Sequence, residues 1–280
     1  MPTEVSEGNL TVRERPGPNR EVVPAGISGV WLTAPMSNPI GIDFGGSGIK
    51  AAPVDLKVGD FAADRQRIPT PVPSTPQAVA AVMVDLVGKF PQATGPVGVT
   101  VPGVVRNGVV HSAANIDKSW LDTDADALLT ERLGRDVHVV NDADAAGVAE
   151  LRYGAAKGRS GLVMLTTLGT GIGSALLYNG VLVPNSELGH LEIQGQEAEK
   201  VAAASIKTNE NLSWEEWSRR LTTYYRMLEK LFSPDLFVVG GGVSKDAAHF
   251  LHLIDIATEI IPATLRNRAG IIGAAVITAE

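Results

Sequence analysis

Gly41-Ile42-Asp43-Phe44-Gly45-Gly46-Ser47-Gly48-Ile49-Lys50 puts four glycines in ten residues, where a proline-rich stretch ends and apolar periodicity begins. Glycine adopts positive φ without strain and lets another group approach the backbone closely. The residues after the turn decide its meaning. Pro53, in Ala51-Ala52-Pro53-Val54-Asp55-Leu56, comes too early for a helix. The glycines therefore join two strands. A dinucleotide fingerprint or a Walker loop needs a helix after the turn, and here Lys50 is followed by alanine instead of Ser or Thr. Two readings remain: an ordinary glycine-rich hairpin, or one whose N–H groups form an anion-binding concavity for phosphate.

The same unit returns about one domain later. Residues 162–167 read as an apolar strand, Gly169-Thr170-Gly171-Ile172-Gly173 as a glycine turn, and residues 174–178 as the returning strand. Asn179-Gly180 then leads into a short strand at 181–183. Internal duplication carries more weight than either turn alone. A third glycine run, Gly240-Gly241-Gly242, follows the buried strand at 236–239 and precedes a helix.

The rest of the chain alternates strand and helix. Thr75-Pro76 is an N-cap followed by proline at the first helical position, and Val79, Val82, Met83, Leu86, Val87 and Phe90 then recur at helical spacing. A strand at 97–101 ends in Pro102-Gly103, and a hairpin at 104–110 turns on Asn107-Gly108. A helix at 125–133 closes on Gly134, and a strand at 137–140 runs into Asn141-Asp142-Ala143-Asp144 and a helix to residue 153. Ser213-Trp214-Glu215-Glu216 is a capping box for a long helix with Trp217, Leu221, Tyr224, Leu228 and Leu231 on its buried face. An apolar helix at 269–277 ends the chain. The class is α/β, two duplicated halves with three glycine turns around one cleft.

Composition narrows the function. The chain has 280 residues, enough for two domains, and its 44% hydrophobic and 20% charged content is that of a globular protein. A formal net charge of −7 argues against a general nucleic-acid binder. With no cysteine there are no disulfides, thiolate metal sites or cysteine nucleophiles. No apolar run reaches the ~18 residues of a membrane span, so a cytoplasmic location is expected. Residues 1–37, rich in proline and glycine, are predicted to be a disordered arm, and Met36 is a candidate initiator.

Several residues have the chemistry of a site. Asp142 stands where a strand ends and a helix begins, the place where α/β folds expose ligand-binding groups. A carboxylate there can accept the proton of a hydroxyl attacking a phosphoryl group, or merely cap the helix with Asp144. Asn141 offers donor and acceptor at one tip and suits a sugar hydroxyl. Glu187-Leu188-Gly189-His190-Leu191-Glu192 gathers two carboxylates and an imidazole, a set that satisfies vicinal hydroxyls. Zinc is a rival reading for His190, weakened by the missing cysteines and the lack of a second histidine at ligand spacing. His249 and His252 read as a solvated helix face, and His111 and His138 have no evident partners in sequence. Asn115-Ile116-Asp117-Lys118-Ser119-Trp120 reads as a pocket rim or a plain surface loop. Arg152, Lys157 and Arg159 form a basic patch, solvated or guiding an extended polyanion.

Residues 42–50, 141–150, 187–190 and 235–244 together resemble the ROK sugar kinases, over about residues 38–280. The resemblance implies the duplicated actin-like (ribonuclease H-like) ATPase fold. It divides the chain into a smaller domain at 38–138, joined by the helix 269–280, and a larger one at 139–268. Residues 113–120 and 165–175 look most like the actinobacterial members that phosphorylate glucose from polyphosphate as well as ATP. Carried over by position, Asp142 would be the base for the glucose 6-hydroxyl, and Asn115, Asn141, Glu187 and His190 would hold the sugar. Asp43, Gly45, Gly46, Ser47, Gly48 and Lys50 would face the phosphates and Mg2+, which the phosphates hold with help from Asp43. Thr167, Gly169, Thr170 and Gly171 would form the second phosphate grip, and Gly240, Gly241 and Gly242 would border the adenosine of ATP. A homodimer is implied too. Most family members follow the Gly-His pair with a zinc-binding cysteine cluster and a further sugar-binding glutamate. Both are missing here, as they are in the polyphosphate-using members, and Glu192 is the predicted replacement for that glutamate. The alternatives are a strictly ATP-dependent kinase for glucose or another hexose, and a non-catalytic sugar-responsive regulator. Residues 1–38 are too short and too proline-rich for the regulator's helix-turn-helix.

Overall fold

The computed structural model describes residues 38–113 and 115–279. The arm predicted for residues 1–37 and the start at Met36 lie outside the described residues. Two sheets organise the chain. The first contains β1 (Ile40–Gly45), β2 (Gly48–Asp55), β3 (Asp60–Phe61), β4 (Gln66–Ile68), β5 (Val97–Val101) and β8 (Val137–Asn141), in the order β3-β2-β1-β5-β8 with β4 also on β2. Between β5 and β8 lie the small hairpin of β6 (Val105–Arg106) and β7 (Val109–Val110), and the helix α2 (Ala125–Leu133). The second sheet contains β9 (Leu162–Leu168), β10 (Ile172–Tyr178), β11 (Val181–Val183), β14 (Leu236–Gly240) and β15 (Ile260–Pro262), in the order β11-β10-β9-β14-β15.

The two orders are one topology repeated. β1 runs antiparallel to β2 and parallel to β5, which is parallel to β8. β9 likewise runs antiparallel to β10 and parallel to β14, which is parallel to β15. The duplication read from two glycine turns thus extends through five strands on each side. Register fixes the turns: Gly45 pairs with Gly48, leaving Gly46-Ser47 at the first tip, and Leu168 pairs with Ile172, leaving Gly169-Thr170-Gly171 at the second.

Helices α3 (Asp142–Tyr153) and α7 (Ala269–Ala279) pack on each other and share an apolar core with strands of both sheets, from Val54 to Leu165 and Val238. The helix α7 is apolar and largely buried, so it has no charged face to offer solvent. It lies unusually close to its neighbours. A Cβ on Gly98 of β5 would strike the carbonyl of Ala274, and one on Gly273 would strike that of Ala145. The first sheet closes a second core with α1 (Pro76–Gly88) and α2 around Phe44, Met83 and Trp120. The second sheet packs against α4 (Ala198–Ala202), α5 (Ala204–Asn209) and α6 (Trp214–Phe232) around Trp217, Tyr225 and Phe237. Between β11 and α4 the hairpin of β12 (Glu192–Ile193) and β13 (Gln196–Glu197) is inserted.

The local signals explain most boundaries. Thr75 caps α1 with Pro76 at its start, and Gly134 ends α2 in the left-handed conformation. The Ser213–Glu216 capping box forms in both directions, a feature that stabilises a helix by about 1 kcal/mol. Three expectations change. Leu231 is exposed, because Phe232, four residues after Leu228, takes the core-facing place in the last turn of α6. Residues 242–249 form a 3-10 helix, not a regular α-helix. His138, without an evident partner in sequence, pairs with Asp126 at 3.4 Å, while His249 and His252 are exposed as read, His249 also stacking on Trp214. No helix of the described residues is long and apolar enough to cross a membrane.

Candidate active site

Asn141 ends β8 and caps α3. Its Oδ1 accepts the N–H groups of Ala143 and Asp144 at 2.8 and 3.1 Å. A side-chain oxygen satisfies otherwise orphaned donors at a helix start, which is why the chain turns so sharply here. Its Nδ2 donates to the Gly103 carbonyl at 3.1 Å and to Glu187 at 3.3 Å. The amide tip that looked free for a ligand is therefore engaged within the protein.

Asp142, the first residue of α3, lies where two cavities meet. The larger, about 640 Å³, is lined by Gly45, Gly46 and Ser47 of the first turn and Thr167, Gly169, Thr170 and Gly171 of the second. Asn115, Asn141, Glu187 and His190 line it too, with Gly241. The smaller, about 150 Å³, is lined by Asp43, Lys50, Thr167, Gly240 and Gly241. The structure thus brings nearly all the predicted residues together around one carboxylate. Gly48, Gly242 and Glu192 lie off both linings. Glu192 is exposed on β12, while Glu199, in the first turn of α4, lines the larger cavity.

Electrostatics single out Asp142. Its carboxyl is pushed up to about 7, first by burial and then by the negative charge of Asp43, with the Ala143 N–H opposing. Lys50 holds Asp43 in an ion pair of 2.7 Å. Glu187 is also raised, mainly by burial, and His190 opposes that shift from 3.8 Å away. His190 stands beside Glu197 and Glu199 as well, at 3.4 and 4.0 Å. The imidazole is ringed by three carboxylates.

Segment 191–212 follows the Gly-His pair and anchors the second glycine turn through hydrogen bonds. Glu199 Oε2 accepts the Ile172 N–H at 3.3 Å. Ser205 donates its hydroxyl to the Thr170 carbonyl at 2.7 Å and its N–H to the Gly169 carbonyl at 3.0 Å. On the first turn, Arg67 donates to the Ser47 carbonyl at 2.7 Å and Thr70 to that of Gly45 at 2.5 Å. The basic patch does not border either cavity, and Arg159 forks onto Glu259 at 3.0 and 3.1 Å.

Sequence reasoning missed Gly103, Ser112 and Glu199 in the lining. Gly103 was findable: Pro102-Gly103 follows β5 as Gly241-Gly242 follows β14, so the repeat extended by one strand marks it. Glu199 carries no comparable signal, because its place depends on how α4 packs.

Residues 39–202 match the model of the ROK family. The polyphosphate glucokinase of Mycobacterium tuberculosis is 50% identical over 236 residues, covering 84% of this chain and 89% of that protein. The inorganic polyphosphate/ATP-glucomannokinase of Arthrobacter sp. strain KM superposes with a TM-score of 0.84 at 55% identity, covering 87% of this chain and 98% of that one. A ROK family glucokinase from Streptomyces griseus, solved with glucose and AMPPNP, superposes with a TM-score of 0.75 at 24% identity, covering 86% and 98%, and supports the fold. The repeated sheets are those of the actin-like ATPase fold, and the chain belongs to the ROK family.

Proposed function

We propose that this protein transfers the terminal phosphoryl group of inorganic polyphosphate or ATP to the 6-hydroxyl of glucose. One observation carries the reading: a carboxyl raised to about 7 stands where a polar pocket walled by two glycine turns meets a smaller cavity lined by Asp43 and Lys50. Asp142 accepts the proton of the attacking hydroxyl, a task for which a pKa near the working pH is the most effective. Glucose occupies the larger cavity, held by Asn115, Glu187, His190 and Glu199. Asn141 orients Glu187 and presents one face to the sugar.

The N–H groups of Gly46, Ser47, Thr170 and Gly171 grip the transferred phosphoryl group from two sides. Phosphoryl transfer asks mainly for alignment and charge stabilisation, which such paired turns supply. Asp43 and Asp142 are hard oxygen donors on one small cavity, a set that suits a phosphate-borne magnesium ion, which would neutralise charge on the donor. The rest of the donor continues into a cavity of about 610 Å³ that shares Ala263, Arg266 and Asn267 with the smaller one. Lys245, Arg266 and Arg268 on its wall favour a polyanion, and Gly240 and Gly241, on the smaller cavity, would border the nucleoside of ATP. A cytoplasmic homodimer completes the proposal, with sedimentation velocity as its check.

A coupled assay with ATP and with long-chain polyphosphate, each against glucose and mannose, tests the reading. Glucose turnover with polyphosphate is expected. Mannose belongs in the assay because the Arthrobacter relative is a glucomannokinase. Absence of sugar-dependent donor consumption overturns the proposal.

A further inference from the structure

Asn185 belongs to none of the sugar or phosphate motifs, yet its side chain joins the two halves of the site. Its Oδ1 accepts the Val105 N–H at 2.8 Å and its Nδ2 donates to the Val105 carbonyl at 2.8 Å. It thereby mimics a strand partner for one residue of β6. Only an amide tip offers donor and acceptor together in this way. Asn185 sits at φ 61, a left-handed conformation that asparagine tolerates better than most residues. Its own N–H donates to Asp144 Oδ2 at 2.7 Å. Asp144 is 2% exposed, and its other oxygen has no hydrogen-bond partner among the described residues.

These bonds form a chain through the sugar side of the cavity. Asp144 stands on the first turn of α3, two residues beyond Asp142. Val105 opens the β6–β7 hairpin, which is flanked by the lining residues Gly103, Ser112 and Asn115. Two residues past Asn185 is Glu187. Asn185 therefore connects the helix bearing the base, the separate β6–β7 hairpin and the loop bearing Glu187.

We propose that Asn185 is a positioning residue that clasps the β6–β7 hairpin to α3 through Asp144, so that the glucose pocket is assembled before the sugar arrives. This rests on the glucokinase reading. The clasp lies on the sugar side, so its loss weakens sugar binding selectively and leaves the donor side and the proton acceptor in place.

Two variants of the full chain test it. Asn185→Gly removes the amide while keeping φ 61 accessible. Asn185→Asp keeps the shape but sets a carboxylate oxygen against the Val105 carbonyl. Glucose affinity by calorimetry is expected to fall about tenfold in the first and further in the second, with kcat and donor KM within twofold. Hydrogen exchange at the Val105 amide should accelerate in Asn185→Gly at unchanged thermal midpoint, and glucose should slow it in the wild type. Glucose affinity within twofold of wild type in both variants, or a donor KM that rises as much as the glucose KM, overturns the clasp. If the wild type binds no glucose, the functional reading falls, and the Val105 exchange rate alone decides whether the clasp exists.

Discussion

The Lys50 ammonium stands 2.7 Å from the Asp43 carboxylate, and both share a small cavity with Asp142. The pair sets the charge that Asp142 faces. Asp43 raises the Asp142 carboxyl, and a positive charge paired with Asp43 should by Coulomb's law reduce that effect. Lys50→Met removes the offset without much change in volume. The acid limb of kcat/KM is expected to move to higher pH, with a donor KM several-fold above wild type. A pH profile with donor varied at saturating glucose checks both, and an unmoved acid limb contradicts the assigned role.

Asp142 itself predicts opposite trends in activity and stability. As the proposed proton acceptor, Asp142 must be ionised, so activity should rise from pH 5 to 8 with a midpoint near 7. Folding works the other way. The folded pKa lies above the ordinary value of 3.8, so the folded state binds the proton more tightly than the unfolded chain. That contribution is fully present below about pH 4 and is lost as pH rises through 7. Asp142→Asn should therefore lower kcat by roughly a thousandfold, keep glucose affinity within about threefold, and exceed the wild type in stability at pH 8 by roughly 1–3 kcal/mol. The gain should shrink at pH 5. Paired melts and single-turnover assays measure both trends.

The repeat was legible because glycine and proline act locally. Pro53 excluded a helix after the first turn, and the echo at residues 162–178 needed only the order of residues. Asp142 was legible for the same reason, standing at a strand–helix junction. Sequence could not show that Asn141 is engaged by Gly103 and Glu187, since those partners arrive from 38 and 46 residues away. Nor could it separate Glu192 from Glu199. The β12–β13 hairpin leaves Glu192 exposed, and only the packing of α4 against the second sheet brings Glu199 back to the cavity.

Gly98 and Gly273 exist for the close approach of α7. A methyl on Gly98 would overlap the Ala274 carbonyl, and one on Gly273 that of Ala145, both backbone atoms that cannot rotate away. Gly98→Ala and Gly273→Ala should each destabilise the fold by about 2–4 kcal/mol, at the upper end of overpacking costs. Gly134→Ala gives a useful contrast. Its added methyl meets nothing, so only the left-handed φ of 64° is strained, and a cost near ~1 kcal/mol is expected. Urea unfolding of the three variants checks the order, which fails if Gly134→Ala is the most damaging.

In the proposed reaction Glu199 couples the sugar wall to the phosphate turn. Its carboxylate takes the Ile172 N–H on one oxygen and the Lys200 ammonium on the other, and it stands 4.0 Å from His190 with only 12% of its side chain exposed. Glu199→Ala removes the acceptor beneath the second glycine turn and a carboxylate from the sugar pocket together. Both glucose KM and donor KM are expected to rise, glucose by roughly ten- to a hundredfold. Glu199→Gln keeps an oxygen for Ile172 and should spare the donor KM while still weakening glucose. Glu192→Ala, on the exposed strand, should leave both constants within twofold of wild type. Steady-state kinetics on the three variants decide the matter: a Glu192→Ala defect larger than that of Glu199→Ala would return the sugar-binding role to β12 and leave Glu199 as a support for the turn alone.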